Sequence, residues 1–356
     1  MRILIIKFRH IGDVLLSTPL IRNLKLHYPD ASINMAINEE TKAMLEHNPD
    51  IDQLLLYPRN KIKNSSLLGK LILELSYAKT ILSNRYDLVI NLTEGDRGAI
   101  LALFSKAEIR LGRQTKNRFL QYFKPFTKAI EKMGGTKHTV EQGLKFLDLL
   151  ELSTFEKKVH LYSNDRSKHK IETILTKEKI KDFIIIHPVS RWMFKCWDDE
   201  KFAKTIDYIE LNKKKKVIIT ASPDQIELDR IESILKNCKS NPLNLSGLLS
   251  LDELSALISR ASLFVGVDTA PMHMAAALDI PVIALFGPSN PILWGPWNNE
   301  TETSEYTKKR SLQTNGKHVI IQHPDDEIIY ENGRKISTSM MEITVDEVIE
   351  QINKKL

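Results

Sequence analysis

The sequence predicts an α/β protein built from two doubly wound, Rossmann-like domains. Short apolar runs that suit buried parallel strands alternate with stretches whose apolar residues have helical spacing. This alternation stops at a polar stretch around residues 155–180 and then starts again. The chain has 356 residues, more than the roughly 250–300 that one hydrophobic core supports. Right-handed crossovers would give each of the two runs of strands and helices its own parallel sheet. We therefore expect one domain over residues 1–165 and a second over 166–356.

The first domain opens with a β-branched run at 2–8 that predicts a buried strand. A loop at 9–13 leads into a predicted helix over 14–27. The next predicted elements are strands at 32–37, 51–56 and 88–92, with helices at 41–46 and 67–82.

The second series begins with a charged, helix-prone stretch at 162–181 and a bare hydrophobic strand at 183–187. Further strands are predicted at 217–220, 243–245, 263–267 and 282–286, and helices at 199–212, 224–236, 251–259 and 271–278. The last predicted helix, 345–355, is placed in the second domain, and packing back on the first domain stays open as an alternative.

Positive charge is concentrated in one part of the chain. The net charge is +6, and residues 101–150 alone hold ten Lys/Arg against four acids. Such a segment favours an anionic partner, which could be a phosphorylated glycolipid, an anionic membrane or a nucleic acid. A solvated helix face is the alternative.

Several classes of protein are disfavoured. No apolar run reaches the roughly 20 residues that span a bilayer, and the first residues lack the features of a signal peptide. Two cysteines, Cys196 and Cys238, make no disulfide framework. Walker and Gly-x-Gly-x-x-Gly motifs are missing from the sequence. We expect a cytoplasmic protein.

Three segments follow predicted strands, at the sheet edge where open α/β sheets bind ligands. The first contains Arg9, His10, Gly12 and Asp13, and its cations indicate an anionic ligand, although Asp13 could simply cap the helix. The second, 187–197, holds Ser190, Arg191 and Lys195, which would suit a diphosphate. Trp197 is interpreted as a packing residue and Cys196 as an unactivated thiol.

The third segment, 266–277, reads Gly-Val-Asp-Thr-Ala-Pro-Met-His-Met-Ala-Ala-Ala. A strand ends there, and Pro271 opens a small-residue helix whose free N–H groups could face a phosphate. Asp268 and His273 lack a third metal ligand nearby, so we expect no metal. The one Asp-x-Asp, Asp50-Ile-Asp52, opens a strand and therefore lies at the opposite end of the sheet.

These motifs together resemble glycosyltransferase family 9, the ADP-heptose:lipopolysaccharide heptosyltransferases. The resemblance rests on Arg-His-Ile-Gly-Asp-Val-Leu-Leu-Ser-Thr-Pro at 9–19, on the Gly-Val-Asp-Thr-Ala-Pro-Met-His turn, and on Leu-Phe-Gly-Pro-Ser at 285–289. Residues 194–202 resemble the heptosyltransferase III branch. The resemblance implies a GT-B fold with two Rossmann-like domains facing each other across a cleft. It also implies metal-independent, inverting transfer of heptose from ADP-L-glycero-D-manno-heptose to the lipopolysaccharide inner core, onto the second core heptose.

The resemblance also implies roles for individual residues. Asp13 would be the general base, with Lys195 stabilising the departing ADP. The donor would be bound by Ser190, Lys195, Leu249, Asp268, Thr269, Ala270 and His273. The cations of the first loop and of the basic segment, which the residues themselves assign to an anionic partner, would then bind the acceptor: Arg9, His10, Arg113, Lys116 and Arg118. No cofactor is expected, and the protein would lie on the cytoplasmic face of the inner membrane of a Gram-negative cell.

Other functions stay open at this point. Heptosyltransferase I or II activity would use the same donor motifs. A non-catalytic nucleotide-sugar-binding protein would keep the phosphate turn without needing Asp13. A nucleic-acid-binding protein would explain the basic segment but not the two α/β series, so we expect no nucleic-acid partner.

Overall fold

The computed structural model describes residues 1–114, 117–130, 135–307, 312–324, 327–331 and 334–356. They divide into two compact units, Met1–Tyr162 and Ser163–Leu356. In each unit, helices connect the strands of a largely parallel sheet.

The first unit contains a parallel sheet whose order, within the described residues, is β3-β2-β1-β4-β5-β6. Its strands are β1 (Arg2–Lys7), β2 (Ser32–Asn38), β3 (Gln53–Tyr57), β4 (Leu88–Asn91), β5 (Ile109–Arg113) and β6 (Lys128–Ile130). Its helices are α1 (Ile11–Leu15), α2 (Thr18–His27), α3 (Arg59–Asn64), α4 (Leu67–Leu82), α5 (Asp96–Phe104), α6 (Arg118–Tyr122) and α7 (Thr139–Leu149), and a 3₁₀ turn covers Glu39–Met44.

The second unit repeats this order. Its sheet, in the described part of the chain, runs β12-β13-β11-β10-β7-β8-β9, with β12 alone antiparallel to its neighbour. Its strands are β7 (Phe183–His187), β8 (Lys216–Ile219), β9 (Leu243–Asn244), β10 (Leu263–Val267), β11 (Val282–Phe286), β12 (Gln313–Asn315) and β13 (His318–Gln322), and β14 (Ile328–Glu331) and β15 (Arg334–Ser337) form a separate hairpin.

The helices of the second unit fill the connections between these strands. They are α8 (Asp165–Lys177), α9 (Asp199–Asp207), α10 (Gln225–Asn237), α11 (Leu251–Ile258), α12 (Ala270–Ala277), α13 (Pro291–Trp294), α14 (Thr338–Glu342) and α15 (Val345–Lys355), with a 3₁₀ turn at Met193–Lys195 and a π turn at Tyr208–Asn212. Without β12, both sheets have the doubly wound order 3-2-1-4-5-6. The prediction of two Rossmann-like series is confirmed.

Apolar strands form the core of the second unit. β7, β10 and β11 are buried along their whole length. Trp197 is 1% exposed, its ring lies 5.0 Å from that of Phe202, and its Nε1 donates to the Ile343 carbonyl at 3.0 Å. The interpretation of Trp197 as a packing residue is confirmed. The last helix, α15, packs on α9 through buried Val348 and Ile352.

Three predicted helices differ from the structure. The helix expected at 14–27 is two helices, α1 and α2, because Pro19 lies in the first turn of α2 and has no N–H to continue a preceding helix. The helix expected at 41–46 is the 3₁₀ turn Glu39–Met44. The helix expected over 199–212 changes from α to π at Tyr208.

Candidate active site

The chain adds strands to one side of β1 up to β3 and then continues on the other side with β4. Charged residues gather at this switch point between β1 and β4. Lys7 ends β1, Glu94 follows β4, and Arg113 ends β5. Ligands of doubly wound sheets bind in the crevice outside the strand ends at such a point. Asp13 lies just beyond β1, in the first turn of α1.

Asp13 does not cap a helix. The N-cap of α1 is His10, and Asp13 is three residues further on. The capping alternative is therefore wrong. The carboxylate is 15% exposed, with its Oδ1 3.6 Å from Lys7 Nζ. Asp13 is thus a mostly buried acid whose charge is balanced by a neighbouring ammonium group.

Lys7 is a site residue that the sequence reasoning did not select. Burial lowers its pKa, the Asp13 carboxylate opposes that shift, and the positive charges of Arg113 and Arg9 add to it. The ammonium therefore depends on Asp13 for its stabilisation. Its position at the carboxyl end of the predicted strand 2–8, just before the loop that leads to Asp13, was the signal that could have identified it.

A small cavity connects Asp13 with residues that are distant in sequence. Its lining is Lys7, Asp13, Leu16, Ser17, Leu92, Arg113, Thr139 and Gly143. The structure thus brings the predicted base and the predicted acceptor-binding Arg113 to one cavity, although they lie in α1 and β5. Ser17 and Thr139 add hydroxyl groups to the wall.

Glu94 links two of the predicted acceptor-binding arginines. Its Oε2 lies 3.7 Å from Arg9 NH2, and its Oε1 lies 3.8 Å from Arg113 NH1. Arg113 also donates to Gln142 Oε1 at 3.2 Å. Burial lowers the Arg113 pKa, and Glu94 opposes the shift. Glu94 was also missed by the sequence reasoning, although it lies two residues after the strand predicted at 88–92.

The other predicted acceptor residues are less closely connected to this cavity. His10 is exposed at the N-cap of α1, and Arg118 is exposed in the first turn of α6. Lys116 lies outside the described residues. The basic segment 101–150 is distributed over several elements, and Arg110 binds its own loop by donating to the carbonyls of Pro125 and Ala107.

In the second unit the corresponding switch point lies between β7 and β10, and here Lys195 meets Asp268. Lys195 Nζ is 2.6 Å from Asp268 Oδ2, and the Asp268 side chain is 7% exposed. Ser289 Oγ donates to the same carboxylate oxygen. Two predicted donor-binding residues are therefore in direct contact. Ser289 was not selected, although its Gly-Pro-Ser loop follows a predicted strand.

The loop after β10 leads into the N-terminus of α12. Thr269 is the N-cap in extended conformation, and Ala270 and Pro271 begin the helix. His273 is 5% exposed, and its ring lies 6.4 Å from that of Trp294. A Cβ at Gly266 would lie 2.6 Å from the His187 carbonyl. Glycine is therefore required where β10 approaches β7, and this approach sets the position of the loop.

The remaining donor-site predictions lie on neighbouring loops. Ser190 is buried, and its Oγ accepts from the Trp192 amide at 3.2 Å. Leu249 is half-buried between β9 and α11. Burial raises the pKa of the Cys196 thiol to about 11, so this cysteine is protonated at neutral pH.

In the described ranges, no group of three or more His, Cys, Asp or Glu side chains could hold a metal ion. Asp50 instead accepts from Arg22 NH1 at 3.1 Å, and Asp52 accepts from the Ile33 amide at 2.8 Å. None of the described helices is both long and apolar enough to cross a bilayer.

Known proteins that this chain resembles in sequence include heptosyltransferases. Residues 75–319 match the model of glycosyltransferase family 9 (heptosyltransferase). The chain is 34% identical over 291 residues to lipopolysaccharide heptosyltransferase 3 of Escherichia coli, covering 81% of this chain and 84% of that protein. It is 26% identical over 352 residues to the lipopolysaccharide core heptosyltransferase OpsX of Haemophilus influenzae, covering 98% and 95%.

Solved structures show the same architecture. A family 9 glycosyltransferase from Veillonella parvula superposes with a TM-score of 0.80 at 23% identity, covering 99% of this chain and 96% of that one. The Escherichia coli ADP-heptose heptosyltransferase II superposes with a TM-score of 0.74 at 20% identity, covering 100% and 98%. The predicted fold class is confirmed.

Proposed function

Because the chain belongs to glycosyltransferase family 9, the heptosyltransferases, we propose that it transfers heptose from ADP-L-glycero-D-manno-heptose to the lipopolysaccharide inner core with inversion. Identity to proteins named heptosyltransferase 3 favours the second core heptose as the acceptor. The observation that carries the mechanism is the Asp13 carboxylate, which does not cap a helix and which lines a cavity together with the cations Lys7 and Arg113.

Asp13 is the proposed general base. It would take the proton of the acceptor hydroxyl as that oxygen forms its bond to the anomeric carbon, while the bond from that carbon to the ADP oxygen breaks. Lys7 at 3.6 Å supports the role, because it orients the carboxylate. A positioned acid–base group typically contributes about 10²–10⁴-fold to the rate.

Lys195 and the N-terminus of α12 are proposed to stabilise the departing ADP. A cation and a helix N-terminus both favour the negative charge that develops on the diphosphate, so this scheme requires no metal. The Lys195–Asp268 ion pair supports it by placing the ammonium next to the residues that begin α12. In the same proposal Ser190, Thr269, Ala270 and His273 contact the phosphates, Leu249 the adenine, and Asp268 the donor heptose.

The acceptor is proposed to bind at the first unit. Arg9 and Arg113, with His10, Lys116 and Arg118 around them, would bind the anionic groups of the core. The Glu94 carboxylate between Arg9 and Arg113 supports this assignment, because it shows that an anion fits between them. Such an acceptor is a membrane lipid, so we place the enzyme at the cytoplasmic face of the inner membrane, without a nucleic-acid partner.

Turnover on three defined acceptors tests the proposal. Purified protein receives ADP-heptose and core lipids that carry no heptose, one heptose or two heptoses. We expect product only from the lipid with two heptoses. Product from one of the shorter lipids would assign heptosyltransferase I or II activity instead. Binding of ADP-heptose without turnover on any acceptor would indicate a nucleotide-sugar-binding protein.

Nucleotide titration tests the donor site separately. We expect ADP to bind more tightly than UDP or GDP, and Lys195→Met to weaken ADP binding by about tenfold or more through loss of a charged contact. Lys236→Met, on the exposed side of α10, is the matched control and should bind ADP normally. If the Lys195 variant binds ADP as tightly as the parent protein, Lys195 is not part of the donor site.

A further inference from the structure

α4 exposes an apolar stripe to solvent. Leu68, Leu71 and Leu75 are 69%, 56% and 61% exposed, and Leu67 and Ile72 widen the stripe at 86% and 57%. Residues three or four positions apart share one face of a helix, so these side chains form a continuous surface over two turns of α4. Surfaces of this kind on a folded protein mark sites of interaction with another protein or with a membrane.

The opposite face of α4 is firmly anchored. Tyr77 and Ile81 are buried in the core of the first unit, with Leu73 packed against it. Tyr77 Oη donates to the Leu55 carbonyl at 2.9 Å. These contacts fix the rotation of the helix, so the exposed leucines belong to the folded state and do not result from poor packing of the helix.

The segment that carries the stripe is rich in positive charge. Residues 59–85 contain a single acid, Glu74, against six cations: Arg59, Lys61, Lys63, Lys70, Lys79 and Arg85. Glu74 is already engaged, since it accepts from Tyr57 Oη at 2.5 Å and from Arg97 at 2.8 Å. The segment therefore combines an exposed apolar stripe with a net positive charge. Leucines flanked by lysines and arginines are typical of helices that lie in the interface of an anionic bilayer.

We propose that α4 is a membrane-docking element that inserts its leucine stripe into a bilayer surface rich in anionic headgroups. The cations of α3 and the ends of α4 would then contact the headgroups. A second copy of this chain fits the stripe less well, because a symmetric contact would bring two segments of net positive charge together. The inference rests on the proposed function only in that the acceptor is a membrane lipid.

Vesicle co-sedimentation with matched variants tests the docking element. The probes are phosphatidylcholine vesicles with and without about one third phosphatidylglycerol. Leu71→Gln/Leu75→Gln should lower binding to the anionic vesicles by about tenfold or more, since two large apolar side chains no longer leave water. Leu211→Gln/Ile226→Gln, which alters two exposed apolar residues of the second unit, should bind like the parent protein. Lys61→Gln/Lys63→Gln should reduce the preference for anionic vesicles.

Two further measurements separate this inference from its rivals. Turnover on a short, detergent-free core oligosaccharide should be unchanged in the α4 variant, because α4 contributes no residue to the Asp13 cavity. Loss of vesicle binding with that turnover intact would support docking. Unchanged vesicle binding by the α4 variant would overturn the docking proposal. A parent protein that sediments as a dimer, together with an α4 variant that sediments as a monomer, would also overturn it. Failure of the proposed function would be seen differently, as absent turnover with vesicle binding intact.

Discussion

The two switch points occupy the same place in sheets of the same strand order, but their charges are held differently. At the first, Lys7, Arg9 and Arg113 face Asp13 and Glu94 across 3.6–3.8 Å. At the second, Lys195 and the 7% exposed Asp268 are in contact at 2.6 Å. The pairs of Glu94 with Arg9 and Arg113 are loose, and the Glu94 side chain is 47% exposed, so an anionic ligand can take the place of this carboxylate. The Lys195–Asp268 contact instead holds the ammonium group where we propose that it meets the donor diphosphate. The fold supplies the location, and the side chains determine which kind of ligand is bound.

Asp13→Asn gives the largest effect expected from this comparison. We expect kcat to fall by about 10²–10⁴-fold with donor affinity unchanged, because the amide cannot accept the hydroxyl proton. Stability should fall as well, because the buried Lys7 ammonium loses its counter-charge, so turnover is compared at a temperature at which the variant is fully folded. The measurement is turnover at saturating ADP-heptose and acceptor, together with a thermal melt. Turnover near the parent rate would exclude Asp13 from the chemistry.

Acid should destabilise the second unit through its buried histidines. Burial lowers the pKa of His187 to about 4, below its usual value near 6.5. Between these values the unfolded chain binds a proton that the folded chain does not, so stability falls as pH falls. In that window the His187 contribution amounts to roughly 3 kcal/mol.

Tryptophan fluorescence can measure this loss in the second unit alone, because all four tryptophans (Trp192, Trp197, Trp294 and Trp297) lie there. The free energy of unfolding is measured in urea at pH 7 and at pH 4. Its decrease from pH 7 to pH 4 should be smaller in His187→Gln than in the parent protein. His169→Gln, on the exposed side of α8, should follow the parent. Parallel pH profiles for all three proteins would contradict the prediction.

Asp268→Asn probes the tight pair. Removing one partner leaves the Lys195 ammonium, whose side chain is 21% exposed, without its counter-charge. Breaking a fully buried pair costs about 3–5 kcal/mol, and partial exposure of Lys195 reduces this to about 2 kcal/mol. Fluorescence-detected urea unfolding measures the change. Asp165→Asn, which breaks the exposed Asp165–Lys168 pair, is the control and should leave the midpoint in place.

Glu94→Gln probes the loose pairs and should give the smallest effect. Without the carboxylate, Arg9 and Arg113 lose a competitor for anions. We expect inorganic phosphate and the anionic acceptor to bind about 3–10-fold more tightly at low salt, with the gain shrinking as salt screens the charges. Glu46→Gln, which removes the exposed Lys42–Glu46 pair, should not change binding. Weaker binding by the Glu94 variant would show that this carboxylate positions the arginines productively.

Sequence reasoning succeeded where burial alone determines structure. The strands Phe183–His187, Leu263–Val267 and Val282–Phe286 have the predicted bounds, because each is apolar throughout and ends in a polar turn. The helices Leu67–Leu82 and Val345–Lys355 also have the predicted bounds. β6, in contrast, was not predicted, because Lys128 and Ala129 are exposed on a short edge strand and leave no apolar run.

Those parts of the site that lie just after a strand could be predicted from the sequence. Asp13, Ser190, Lys195 and Asp268 all come after predicted strands, and so do the missed Glu94 and Ser289. Which of these side chains pair was not predictable. The contact of Arg113 with Glu94, and its shared cavity with Asp13, depends on how β5 and α7 pack beside β1 and β4. A pattern of apolar residues does not specify such distances.

The strand order has a consequence for how the protein is synthesised. In the first sheet, Ile3 of β1 pairs with Leu88 of β4, and the cavity wall is completed by Thr139 and Gly143. Contacts so distant in sequence close late and slow folding. The emerging chain must therefore hold β1 without its central partner until nearly ninety residues have left the ribosome. A nascent chain that stops short of Leu88 therefore exposes a β1 edge open to aggregation, and the pocket around Asp13 is completed only after α7 has followed.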